Sequence, residues 1–157
     1  MTDPGGGAAG RRSSGRGGGS AATPATSPPW PGQHLYAGYL ALQAALGVAL
    51  WIGIATSSTV RAGFELLADR PFVTDAFVYP DLVVTVVGSA VSAWGIARSR
   101  RWAVPVVAFT AGSVVYPTLY LFGWVSRQRT ASVALWVMLA VSLLTSWIAW
   151  QTYRAAR

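Results

Sequence analysis

Five residues have the types and the spacing to do chemistry together: Asp81, Thr85, Ser113, Tyr116 and Tyr120. Asp81 and Thr85 lie one helical turn apart. Ser113, Tyr116 and Tyr120 follow at spacings of three and four, so each set shares one helix face. If the two faces meet, they form a pocket lined by hydroxyls and one carboxylate. Such a pocket can hold a small apolar or lipid-like molecule by a polar group. Asp81 with Tyr116 is also the pair best suited to general acid–base work. A structural account of Asp81 competes with both. It follows Pro80, and a proline at the first helical position with an acid in the first turn suits the positive end of a helix dipole. Pro117 removes a backbone donor beside Tyr116. A broken helix can mark a binding site, although proline is also common in membrane helices.

Other chemistries lack their residues. The chain has no cysteine, which removes thiolate catalysis, disulfides and cysteine metal sites. His34 is the sole histidine; a zinc site needs three or four ligands, and haem held by two histidines cannot form within one chain. The glycine triplets at 5–7 and 17–19 have no strand before them or helix after them, so they are not phosphate cradles. Four-span multidrug exporters depend on a glutamate in the first membrane helix, where this chain has Gln43 as its strongly polar side chain. The four-helix thiol-oxidising membrane enzymes need cysteines. The expectation is a protein without cofactor or metal, and with no assigned catalytic residue.

The elements that must position these residues follow from composition. Of 157 residues, 53% are hydrophobic and 11% charged, against roughly 25% charged in soluble domains. Too little polar surface exists to cover a water-facing globule, so the exterior must face lipid. Residues 1–34 are rich in Gly, Ser, Pro and Ala, with Arg11, Arg12 and Arg16 embedded. They cannot bury apolar surface and read as a disordered tail. The apolar runs at about 35–55, 81–97, 102–125 and 132–152 suit the roughly 20 residues that a helix needs to cross a bilayer. The predicted fold is all-α, an integral membrane four-helix bundle over residues 35–153. In architecture alone this resembles the small four-helix bacterial membrane proteins; no diagnostic motif accompanies the likeness. A longer connection over 56–80 carries Arg61, Glu65 and Asp69 at helical spacing, which predicts a short surface helix ended by Pro71.

Arginine placement predicts orientation. With the N-terminus inside, the inner side holds Arg11, Arg12, Arg16, Arg98, Arg100, Arg101, Arg154 and Arg157. The outer side holds Arg61, Arg70, Arg127 and Arg129. Both termini are therefore expected in the cytoplasm and the protein in a bacterial plasma (inner) membrane. The +7 net charge is explained by these flanks and does not call for nucleic acid. Expected partners are the lipid bilayer and a membrane-protein partner or second copy of the chain.

Close packing must hold such a bundle together, because lipid supplies no hydrophobic drive between helices. Ala37, Ala41, Ala45, Ala49 and Gly53 form a small-residue stripe on the first span. Ser89, Ala93 and Ala97 do so on the second, with Gly88 and Ser92 alongside, and Ser142 and Ser146 on the fourth. Two functions remain open. One is a non-catalytic membrane component acting through helix–helix contacts. The other is binding or transport of a small apolar or lipid-like molecule in an outward-facing pocket near Asp81, Tyr116 and Tyr120. A filled bundle fits the first; a cavity of roughly 300 Å³ or more fits the second.

Overall fold

Backbone groups in hydrocarbon must hydrogen-bond within their own segment, so long apolar runs become helices. The computed structural model describes residues 30–65, 72–128 and 133–157, and they form five helices. Four are long and apolar enough to cross a membrane: α1 (Gln33–Thr56), α3 (Val73–Ala97), α4 (Ala103–Gln128) and α5 (Val133–Ala156). The short α2 (Ser58–Phe64) links α1 towards α3. No strand occurs among the described residues. By length and composition this is a multi-pass membrane protein. Of the tail expected over 1–34, residues 1–29 lie outside the described residues, as do Asp69 and Pro71, while residues 30–34 belong to the folded body.

Helix α3 packs on α1 and on α4, and α4 packs on α5. The α1–α5 seam is sparse, and α2 lies against both of these helices. The apolar core gathers at the two ends. At the end bearing the α3–α4 turn, Leu40, Ile96, Ala103 and Val107 are fully buried. Trp30 and Ile148 complete that cluster. At the opposite end, Leu121, Ala134 and Leu135 pack with Phe64 of α2.

The folded body begins before the first apolar run. Trp30 is only 7% exposed. The Gln33 amide oxygen accepts from the Trp30 N–H at 3.1 Å and from Ser99 Oγ at 2.8 Å. This ties the start of α1 to the arginine turn. In that turn Ser99 adopts φ 51°, and its N–H bonds Ile96 while the Arg100 N–H bonds Gly95. The pattern is the Schellman closure that glycine usually fills.

The second span also begins earlier than residue 81. Apolar residues before Pro80 continue the helix back to Val73. The Asp81 N–H bonds the Phe77 carbonyl at 3.0 Å, so Asp81 lies inside the helix rather than at its first residue. From Asp81 to Val87 the backbone is π-helical and returns to α at Gly88. Pro80 lacks a backbone donor, and the β-branched run Val83–Val87 crowds a normal turn. These two features coincide with the widened segment.

The small-residue stripe of α1 is corrected. Ala41, Ala45 and Ala49 are exposed, and the packing face is Ala37, Leu40, Gln43 and Ala44. A strict four-residue repeat drifts around a helix of 3.6 residues per turn, so it cannot follow one straight contact. Close approach is instead set at glycines, Gly47 and Gly88 between helix bodies and Gly95 beside Ala103 at the α3–α4 turn. A Cβ on Gly47 would lie 2.8 Å from Val86 Cγ2, and one on Gly88 would lie 2.8 Å from Thr110 Oγ1. On α3, Ser89, Ser92 and Ala93 are buried as their spacing implies, whereas Ala97 at the end of the helix is exposed.

Candidate binding cleft

Midway along the bundle the helices are joined by polar side chains. Gln43 Nε2 donates to Ser89 Oγ at 3.0 Å, and Gln43 Oε1 accepts from Thr145 Oγ1 at 2.9 Å. One amide therefore connects α1, α3 and α5. The Tyr39 hydroxyl reaches the Val141 carbonyl at 3.4 Å. Thr118 and Ser142 join α4 to α5 at 2.6 Å, and Ser92 meets Thr110 across α3 and α4 at 3.4 Å. Interhelical bonds of this kind contribute on average ~0.6 kcal/mol each in a membrane. Their larger effect is to fix which faces meet.

The α1–α5 contacts, including the edge-on Tyr36–Trp147 ring pair at 5.5 Å, lie towards the arginine-turn end. Beyond Gln43 a cavity of about 490 Å³ separates the two helices. Its α1 wall runs from Tyr39 past Leu46 and Leu50 to Trp51, roughly 18 Å of helix at 1.5 Å per residue. Val137, Met138 and Val141 form the α5 wall, and Val114 of α4 closes the back. Asp81, Thr85 and Val86 enter from α3. An i→i+5 turn is wider than an α-turn, so residues four and five apart from Asp81 fall on one lining face. The π segment thus has a geometric consequence at the cleft.

A second chamber of about 110 Å³ adjoins the first, sharing Leu50, Trp51, Phe64, Asp81, Val137 and Met138 with it. It adds Phe77, Pro117 and Tyr120. The Trp51 indole is the polar neighbour of the Asp81 carboxyl group. Phe77 and Tyr120 have ring centroids 6.5 Å apart, and Trp124 stacks beyond Tyr120 at 6.5 Å. Trp124 Nε1 is buried and has no hydrogen-bond partner among the described residues.

Helix α2 roofs this end. Ser57 breaks α1 at φ −129° and caps α2 by accepting the Val60 N–H. Arg61 then bonds Asp75 at 2.8 Å and lies 3.6 Å from Glu65. The hydrogen bond that Arg61 donates to Asp75 raises the Arg61 pKa above its ordinary value. This exposed clasp holds α2 over α3, with Phe64 lining both chambers.

Of the five residues singled out by spacing, Asp81 and Thr85 line the large chamber, and Asp81 and Tyr120 the small one. Ser113 and Tyr116 line neither. Ser113 Oγ donates back to the Thr110 carbonyl, and Tyr116 is 75% exposed on the outer surface of α4. The Asp81–Tyr116 acid–base pair is not brought together by these positions. The spacing missed Gln43, Tyr39 and the aromatic residues Trp51, Phe64 and Phe77. Gln43 carried a usable signal, since a polar side chain in mid-span marks a partner or a site. The others are ordinary membrane-interface residues until α2 folds over them. Among the described residues no group of three or more His, Cys, Asp or Glu could hold a metal ion. Comparison with known protein families, with curated proteins and with solved structures finds no match to this chain.

Proposed function

We propose that this membrane protein binds a small apolar or lipid-like molecule in the cleft between α1 and α5. The observation that carries this reading is the cavity of about 490 Å³ left where α5 parts from α1, within the 300–1,000 Å³ of typical ligand sites. A bundle packed only within itself would have filled that seam, since packing is what holds membrane helices together. The lining is apolar along its length and polar at both ends, with Gln43 and Tyr39 at one and Asp81 and Thr85 at the other. That pattern suits a molecule with a long apolar part and one polar head. With the arginine-rich end in the cytoplasm, the cleft opens into the outer half of the membrane.

Native mass spectrometry of gently extracted protein tests the reading. The expected result is a retained small molecule, lost from Leu46→Trp and Val137→Trp, which fill the cleft from its partly exposed rim. Retention unchanged in both variants, or bare protein under every extraction, overturns it.

A further inference from the structure

We infer that the ligand's head is cationic: an amine or quaternary ammonium group carried on an apolar tail. This rests on the cleft being a binding site and names the class of molecule that it takes. Asp81 faces both chambers, and among the described residues it forms no ion pair. The acidic partners of Arg61 are Glu65 and Asp75. No arginine or histidine lines either chamber among the described residues, so nothing there compensates an anionic head. Beside a neutral apolar ligand a buried carboxyl group stays uncharged by keeping its proton, whereas a cationic head supplies the counter-charge that lets it act as a carboxylate.

The walls around the carboxylate point the same way. Trp51, Phe64, Phe77 and Tyr120 line the chamber that Asp81 enters. Aromatic faces attract cations, and walls of this kind are the usual means of holding quaternary ammonium groups. The Phe77–Tyr120 pair is tilted at 45°, which presents ring surface from two directions. The larger chamber leads away past Leu50, Leu46 and Gly47 towards Gln43, an apolar track for the tail. A carboxylate, an aromatic enclosure and an apolar track thus occur in two adjoining chambers that share Asp81.

The test uses full-length protein in lipid nanodiscs and two radiolabelled probes of equal chain length, dodecyltrimethylammonium and dodecanol. The expected result is saturable binding of the cation, at least roughly tenfold tighter than the alcohol, as an ion contact with a desolvated aromatic enclosure provides. Asp81→Asn brings the two probes to within roughly twofold while dodecanol still binds, which shows that the variant is folded. Leu46→Trp abolishes both. Equal affinity of the two probes in the wild-type protein overturns the cationic head and leaves the cleft reading standing; a protonated Asp81 donating to the alcohol would give that result. Saturable binding of neither probe overturns the cleft reading itself. A cation preference that survives Asp81→Asn overturns the role of the carboxylate.

Discussion

The Gln43 amide, midway along α1, donates to the Ser89 hydroxyl of α3 at 3.0 Å. Both residues are buried, and the same amide accepts from Thr145. The pair therefore sets the rotation of α1 against two neighbours and fixes the floor of the cleft.

Gln43→Leu keeps the bulk and removes both bonds. Ser89 is then left fully buried without that partner, whereas Thr145 still donates to the Val141 carbonyl at 2.7 Å. The expected loss is about 1–2 kcal/mol, two membrane hydrogen bonds at the upper part of their measured range. Reversible unfolding by steric trapping measures it. A double-mutant cycle with Ser89→Ala isolates the direct bond, expected at ~0.6 kcal/mol. A coupling near zero would mean that the bond does not form in the bilayer.

Gly88 and Gly38 give opposite predictions. A methyl group on Gly88 meets Thr110 Oγ1 at 2.8 Å, and Thr110 is fully buried and bonded to the Val106 carbonyl. Nothing lies within 4 Å of a Cβ on Gly38. Gly88→Ala is expected to cost about 1–3 kcal/mol by overpacking. Gly38→Ala stays within about 0.5 kcal/mol of wild type, as an uncrowded surface change should. The same unfolding assay compares them, and equal effects would contradict the close α3–α4 approach.

These cases show what the sequence could reveal. Hydrophobic run length revealed four long apolar helices, though the second starts at Val73 rather than 81, because each backbone in lipid must satisfy itself, a purely local rule. Asp81, Thr85 and Tyr120, which line the chambers, stand out in the sequence for a similar reason, being polar groups where polarity is costly. Tyr116 was misplaced because helical spacing tells which residues share a face and not which way that face turns. Its direction depends on how α4 packs on α3 and α5, a non-local outcome. The alanine repeat of α1 misled for the same reason. The folding of α2 over Asp81 depends on contacts between distant residues, so Trp51, Phe64 and Phe77 carried no local sign of their shared space.

Ser99 separates two opposing effects in the arginine turn. Its left-handed backbone at φ 51° favours glycine, while its hydroxyl donates to Gln33 at 2.8 Å. Ser99→Gly relieves the backbone by about 1 kcal/mol and loses a bond contributing about 0.5–1.5 kcal/mol, so stability should hardly change. Ser99→Ala loses the bond and keeps the strain, and is expected to be less stable by about 1 kcal/mol. If alanine matches glycine, the hydroxyl contact contributes nothing.

The lateral opening of the cleft predicts a pattern of lipid access. The chain lacks cysteine, so single cysteines can be introduced and spin-labelled without altering a background. Leu46 lines the large chamber and is 59% exposed, Trp136 is 69% exposed, and Ser92 is fully buried. Neither Trp136 nor Ser92 lines a chamber. Oxygen, which partitions into hydrocarbon, should therefore relax labels at 46 and 136 strongly and a label at 92 weakly. The label at 46 occupies the cleft as Leu46→Trp does, so saturating dodecyltrimethylammonium should leave relaxation unchanged at both 46 and 136. A label at 46 that is shielded from oxygen before any ligand is added would mean that α5 closes on α1 in the bilayer. Ligand would then have to enter past Phe64 and α2, and weakening the Arg61–Asp75 clasp with Asp75→Asn should then speed its entry.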